Sequence, residues 1–275
     1  MPARRTPLAV LLPEIGLASE TFIRWDIERL LPSGTAVVAD PPPGGLSVRG
    51  ATTWSLSDQP ALVFDPVDGD PDPSGERIAS VLSFLEQHCV SVVLLEYLDF
   101  ADRWFEPLHR AGLHIWVRGH GVDLSARLRE QRWVTAYRRL AAADGILVPS
   151  RHARAILLAI GLPELKVHVV RYPVEVPPLP HRSDGPDVRC VAVGRLVAKK
   201  APLLMLEAFR LAHHVDPLLT LDLVGDGPLS DDVRTFVSAN GLAGQVRLHG
   251  RLAHDQALRI LRRSDIPVDP RRSPP

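Results

Sequence analysis

Short apolar runs alternate along the chain with stretches in which apolar side chains recur every three or four positions. The first kind predicts buried strands over 8–12, 36–39, 90–95, 114–118, 145–148 and 167–170, and again over 189–193, 219–224, 246–249 and 266–268. Between them, Ile23, Ile27, Leu30 and Leu31 mark one helix face, and further helices are expected over 76–88, 101–110 and 128–142. Ser150 is placed to cap a helix over 153–160 that Gly161 stops. In the second half a helix opens at Pro202 with Met205, Ala208, Phe209 and Ala212 as its buried face, and others follow over 231–239 and 255–263.

Strands alternating with helices predict an α/β architecture, with parallel sheets covered on both faces. Two stretches interrupt the rhythm. Residues 41–75, broken by PPPGG and DGDPDPSG, are loop-rich with room for one or two short strands, because their prolines exclude long helices. Pro173, Pro177, Pro178, Pro180 and Pro186 give 173–186 the composition of a stiff linker. The expected organisation is therefore a first domain over 1–172, a linker over 173–186 and a second domain over 187–275. With 275 residues and 45% hydrophobic content, two domains are within reach.

Thirty-two basic residues balance 32 acidic ones, so no global field argues for nucleic acid, and any anion site must be local. Cys89 and Cys190 both lie in apolar runs and are expected to be buried, reduced thiols of a cytoplasmic protein. No stretch approaches the roughly 20 apolar residues that a membrane span needs, and MPARRTPLAVLLP is expected to be a first strand, not a secretory leader. Contact with a membrane surface through arginines stays open.

One local feature stands out against this neutral background. Only Lys166, Lys199 and Lys200 are lysines, against 29 arginines, and two of the three follow a strand that ends on Gly194-Arg195. Cations and free N–H groups beyond the carboxyl end of a parallel strand, with a helix opening next, suit a phosphate. Arginine offers a bidentate fork and lysine a compact charge, so a diphosphate would use both. The spacing fits neither a Walker loop nor a dinucleotide fingerprint; Gly225-Asp226-Gly227 lacks the third glycine and suits a tight strand-to-helix turn. No carboxylate cluster at metal-ligand spacing sits beside the loop, no His-Glu-x-x-His and no Gly-x-Ser-x-Gly occurs, and His213 and His214 are adjacent on a helix, so neither a metal cofactor nor a serine triad is expected.

VAVGRLVAKKAPLLMLEAF, then LDLVGDGPL, then VRLHGRL resemble, in order and spacing, the donor-binding half of retaining GT-B glycosyltransferases of group 1. The resemblance implies two Rossmann-like doubly wound domains, with Gly194, Arg195, Lys200 and, from the first domain, Gly16 on a donor diphosphate and Gly225, Asp226, Gly227 and Gly250 near its nucleotide. Ala201 stands where that family usually has glycine. In the first half, PEIGLASETFIRWDIERLL is similar to the opening of exopolysaccharide and colanic-acid members, with Gly16, Ser19 and Glu20 at the matching positions. RGHGVDLS resembles the family's H-G-x-D segment, which would put His120 and Asp123 beside the reacting sugar.

What the resemblance implies is transfer of a sugar from a nucleotide diphosphate sugar to a carbohydrate or lipid-linked acceptor, with retention and without a metal. The main catalytic demand is then the negative charge that develops on the leaving diphosphate. The family pattern also carries a Glu-x7-Glu segment beyond the strand at 266–268, whereas this chain has no glutamate after Glu207. The expectation is an incomplete second domain, weak or absent turnover, and self-association through an uncovered sheet. A catalytically silent nucleotide-sugar-binding or interaction module of the same fold is the alternative; an epimerase of this fold would need cleft carboxylates that the sequence does not place.

Overall fold

A computed structural model describes residues 8–15, 21–32, 34–40, 48–49, 51–55, 75–172 and 187–269. The chain divides into two compact units, Met1–Val174 and Glu175–Pro275. Both are parallel α/β structures.

In chain order the first unit contains β1 (Leu8–Glu14), α1 (Thr21–Arg29), β2 (Ala36–Asp40), β3 (Thr52–Ser55), α2 (Gly75–Gln87), β4 (Val92–Glu96) and α3 (Leu98–Arg110). β5 (His114–Arg118), α4 (Gln131–Arg139), β6 (Gly145–Val148), α5 (Arg151–Ala159) and β7 (Val167–Val169) complete it. The strands form one sheet in the order β3-β2-β1-β4-β5-β6-β7, every pair parallel. Side chains alternate across it. Ala9 and Leu11 join a core with Phe84, Trp104 and Tyr137 from α2, α3 and α4, whereas Val10 and Leu12 meet Ile23 and Ile27 of α1 on the other face. Leu30, expected to continue the α1 face, lies just past the helix end and is exposed. Ser150 caps α5 as its position predicts, its hydroxyl accepting from the Ala153 N–H at 3.1 Å.

The second unit runs β8 (Val188–Val193), α6 (Pro202–Val215), β9 (Leu219–Val224), α7 (Ser230–Ala239), β10 (Val246–Gly250), α8 (His254–Arg262) and β11 (Ile266–Pro267). Its parallel sheet has the order β10-β9-β8-β11, and one core gathers Cys190, Ala192, Leu221 and Leu223 under Met205, Leu206 and Phe209 of α6 and Val233 and Val237 of α7. The α6 face differs from the expected one. Leu206 is buried while Ala208 and Ala212 are exposed, because alanine has too little surface to set a helix's rotation when leucine and phenylalanine compete for the core.

Cys190 is buried, and burial pushes its thiol up from the ordinary value. Cys89 is exposed, contrary to its apolar surroundings in sequence, because it sits in the turn after α2 with φ 53° instead of in β4. Among the described residues no helix is long and apolar enough to cross a membrane.

Candidate active site

In each sheet the strand order reverses once, between β1 and β4 in the first and between β8 and β11 in the second. Open parallel sheets bind ligands beyond the carboxyl ends of the strands at such a point, because the connections diverge there and leave a crevice. The candidate residues of each unit collect at these places.

In the second unit, an open recess is lined by Gly194, Arg195 and Lys200 following β8 and by Val268 and Asp269 following β11. The Arg195 side chain is exposed and makes no hydrogen bond or ion pair among the described residues. Lys200 Nζ lies 3.8 Å from an Asp269 carboxylate oxygen. Lys199 is exposed and does not line the recess. Ala201, between the lysines and α6, has φ 44° and ψ 50°. That left-handed conformation is one glycine adopts freely and alanine adopts at a cost of about 1 kcal/mol or more, which is the physical sense of a glycine at this point of the pattern.

The GDG turn packs against this loop. A Cβ on Gly225 would fall 1.8 Å from the Gly194 carbonyl oxygen, and one on Gly227 would fall 2.6 Å from that of Leu196, so both glycines are required for the loops to touch. Gly194 N–H donates to Val224 O, Leu196 N–H to Asp226 O and Gly225 N–H to Gly250 O, each within 3.0 Å. Asp226 Oδ1 accepts from the Ser230 hydroxyl and the Gly227 N–H, and these bonds, the Ser230 one foremost, hold its carboxyl below the usual range. Gly225, Asp226, Gly227 and Gly250 thus brace the loop that carries Arg195.

In the first unit, His120 lies two residues past β5 and is buried. Its Nε2 is 2.8 Å from Glu96 Oε2 at the end of β4, and its Nδ1 is 2.6 Å from the Tyr172 hydroxyl. Arg118 Nη1, at the end of β5, reaches Glu96 at 3.3 Å and Asp26 of α1 at 2.7 Å. All three of these charged side chains are at most 8% exposed. Burial alone would lower the Arg118 pKa, but the Glu96 and Asp26 carboxylates raise it above its ordinary value. Asp26 is pushed up by burial despite Arg118.

Asp123 is fully buried, and its Oδ2 accepts from the backbone N–H groups of Leu98 at 3.0 Å and His120 at 2.9 Å. It ties the His120 turn to the start of α3, whose first residue is otherwise without a side-chain cap. Burial first, and the nearby Asp99 second, push its carboxyl up to about 7. Gly16, Ser19 and Glu20 lie outside the described residues. Sequence reasoning missed Glu96, Arg118, Asp26 and Tyr172. The available signal was a charged residue closing each of two adjacent apolar runs, VVLLE and HIWVR.

The sequence of 180–273 matches the model of the family described as glycosyl transferases group 1. That segment is a group 1 glycosyltransferase domain. The amylovoran biosynthesis glycosyltransferase AmsK of Erwinia amylovora is 28% identical over 155 residues, which are 54% of this chain and 37% of that protein. The chain thus spans little more than a third of that curated relative. Among solved structures, Anabaena Alr3699/HepE in complex with UDP and glucose superposes with a TM-score of 0.73 at 14% identity, covering 97% of this chain and 74% of that one. The apo lipopolysaccharide outer core galactosyltransferase WaaB gives 0.59 at 15% identity, covering 91% and 70%. These likenesses show the fold, which is GT-B. Within the glycosyltransferase domain the matched segment takes in the whole Gly194–Lys200 recess and its GDG brace.

Proposed function

We propose that the chain transfers a sugar from a nucleotide diphosphate sugar to an acceptor hydroxyl in exopolysaccharide biosynthesis, with retention of configuration. The observation that carries this reading is the recess at the β8/β11 reversal, where the exposed Arg195, Lys200 and the Gly194 loop face one space. Two cations offset the charge that grows on a departing diphosphate. Gly225, Asp226, Gly227 and Gly250 fix that loop from behind and flank the nucleotide. A related fold whose solved structure contains UDP and glucose supports the donor class. In the first unit, His120 serves the reacting sugar's side, with Asp123 positioning it through the backbone. No metal is assigned a role.

Asp269 favours a second reading. Its carboxylate takes up part of the Lys200 charge that a diphosphate would use, as suits a module that holds nucleotide sugars without rapid turnover. Calorimetric titration of UDP tests the shared premise. Arg195→Ala should weaken binding about tenfold, the loss of one charge-assisted contact worth about 1.4 kcal/mol. Equal affinities would remove the diphosphate assignment.

A further inference from the structure

Two sides of α6 are apolar, and the core of the second unit uses one of them. Pro202, Met205, Leu206 and Phe209 are buried. On another side Leu204 is 57% exposed, Leu211 54% and Val215 84%, and Ala208 between them is exposed as well. These four stand at i, i+4, i+7 and i+11, so at about 3.6 residues per turn they fall in one strip roughly 60° wide along the whole helix. A single exposed leucine is ordinary, but an unbroken apolar strip on the order of 300 Å² marks a surface that another molecule covers. None of the four lines the recess at the β8/β11 reversal.

The spacing says which molecule. Steps of four, three and four residues are those of a coiled-coil seam, and they read the same from either end. Two copies of α6 laid antiparallel about a two-fold axis therefore bring the strip onto itself, with Leu204 beside Val215 of the second copy and Ala208 beside Leu211 of the second copy. Small then meets large at the centre, whereas a parallel pair sets alanine against alanine and leaves a gap.

Charge selects the same direction. α6 follows Lys199 and Lys200 and leads into Asp216, and the helix dipole adds positive charge at the first end and negative charge at the second. Antiparallel copies join unlike ends, while parallel copies crowd the lysines of both chains together. Glu207 and His214 lie seven residues apart on one edge of the strip, so reversal also sets Glu207 of one copy beside His214 of the other.

We propose that α6 is a dimerisation surface whose partner is a second copy of this chain, packed as an antiparallel helix pair. The proposal does not depend on the glycosyltransferase reading. A helix of 14 residues is about 21 Å long, and one strip of that length covers less than the ~800 Å² per partner of a stable complex. The dimer is accordingly weak and exchanges with monomer in the micromolar range.

Sedimentation equilibrium of the full chain from about 1 to 300 μM tests this, with the average mass expected to climb from 30.2 kDa toward twice that value. Leu211→Arg puts a charge at the centre of the seam, twice by symmetry, and should weaken association about 30-fold or more. Its urea midpoint should not move, because the leucine is exposed; if it does, Leu204→Gln on the same strip carries the test. His214→Glu sets carboxylates against each other and should weaken association about threefold. A wild type that stays at the monomer mass would overturn the proposal, as would a dimer that survives both strip substitutions and so uses another surface. Equal association by His214→Glu would overturn the antiparallel arrangement.

Discussion

The two sheets reverse their strand order in the same way, yet they surround the reversal with opposite kinds of charge. In the first unit Asp26, Glu96, Arg118, His120 and Asp123 are buried, and every one is bonded to a protein group. In the second, among the described residues, Arg195 is exposed without a side-chain partner and Lys200 makes a long contact with Asp269. Buried groups with fixed partners orient one another and support the fold. Solvated cations contribute little to folding and keep their bonding capacity for a ligand. Substitutions in the first unit should therefore cost stability, and those in the second should cost binding.

The sharpest way to break this contrast is Arg118→Ala, which leaves Asp26 and Glu96 buried without their cation. Removing one partner of a buried pair typically costs about 3–5 kcal/mol, and urea unfolding should show a loss of that size. Asp123→Ala comes next, since it orphans the Leu98 and His120 N–H groups, and should cost about 2–4 kcal/mol.

Asp123 also gives the first unit a pH signature. Its carboxyl is raised from 3.8 to about 7 on folding, so its contribution is complete below pH 3.8 and is lost as pH rises through about 7. Denaturant midpoints should show that decline in the wild type and lack it in Asp123→Asn. A wild-type midpoint insensitive to pH across this window would contradict the buried carboxylate with a raised pKa.

These predictions concern two residues, of which only Asp123 was visible beforehand, and the reason is physical. Strands at His114–Arg118, Gly145–Val148 and Leu219–Val224 fall where the apolar pattern puts them, because a strand buried on both faces writes a continuous apolar run. The Arg195 loop was legible because its glycine, its cations and the following helix are adjacent in sequence. The Glu96–His120–Tyr172 chain spans contacts 24 and 52 residues apart, and the Arg118–Asp26 bond spans 92, so it exists only once four elements converge. Asp123 was visible as a motif residue, but its role was not, since spacing does not show that both its bonds go to backbone.

In the second unit the expected effects are smaller and of the other kind. Arg195→Ala should leave the unfolding midpoint within about 0.5 kcal/mol of the wild type, the range of ordinary surface substitutions, while UDP affinity falls. Ala201→Gly should stabilise the chain by about 1 kcal/mol by relieving the left-handed alanine at φ 44°, read as a shift in the same unfolding curves. A loss of stability there would show that the buried methyl matters more than the backbone.

The account stands or falls on the recess at the β8/β11 reversal, and amide shift mapping during a UDP titration addresses it most directly. Gly194, Arg195, Lys200 and the adjoining GDG amides of 225–227 should move together and saturate, and Arg195→Ala should move the midpoint to about tenfold higher UDP. Shifts that leave these amides unmoved while others respond would contradict a nucleotide diphosphate site in the glycosyltransferase domain.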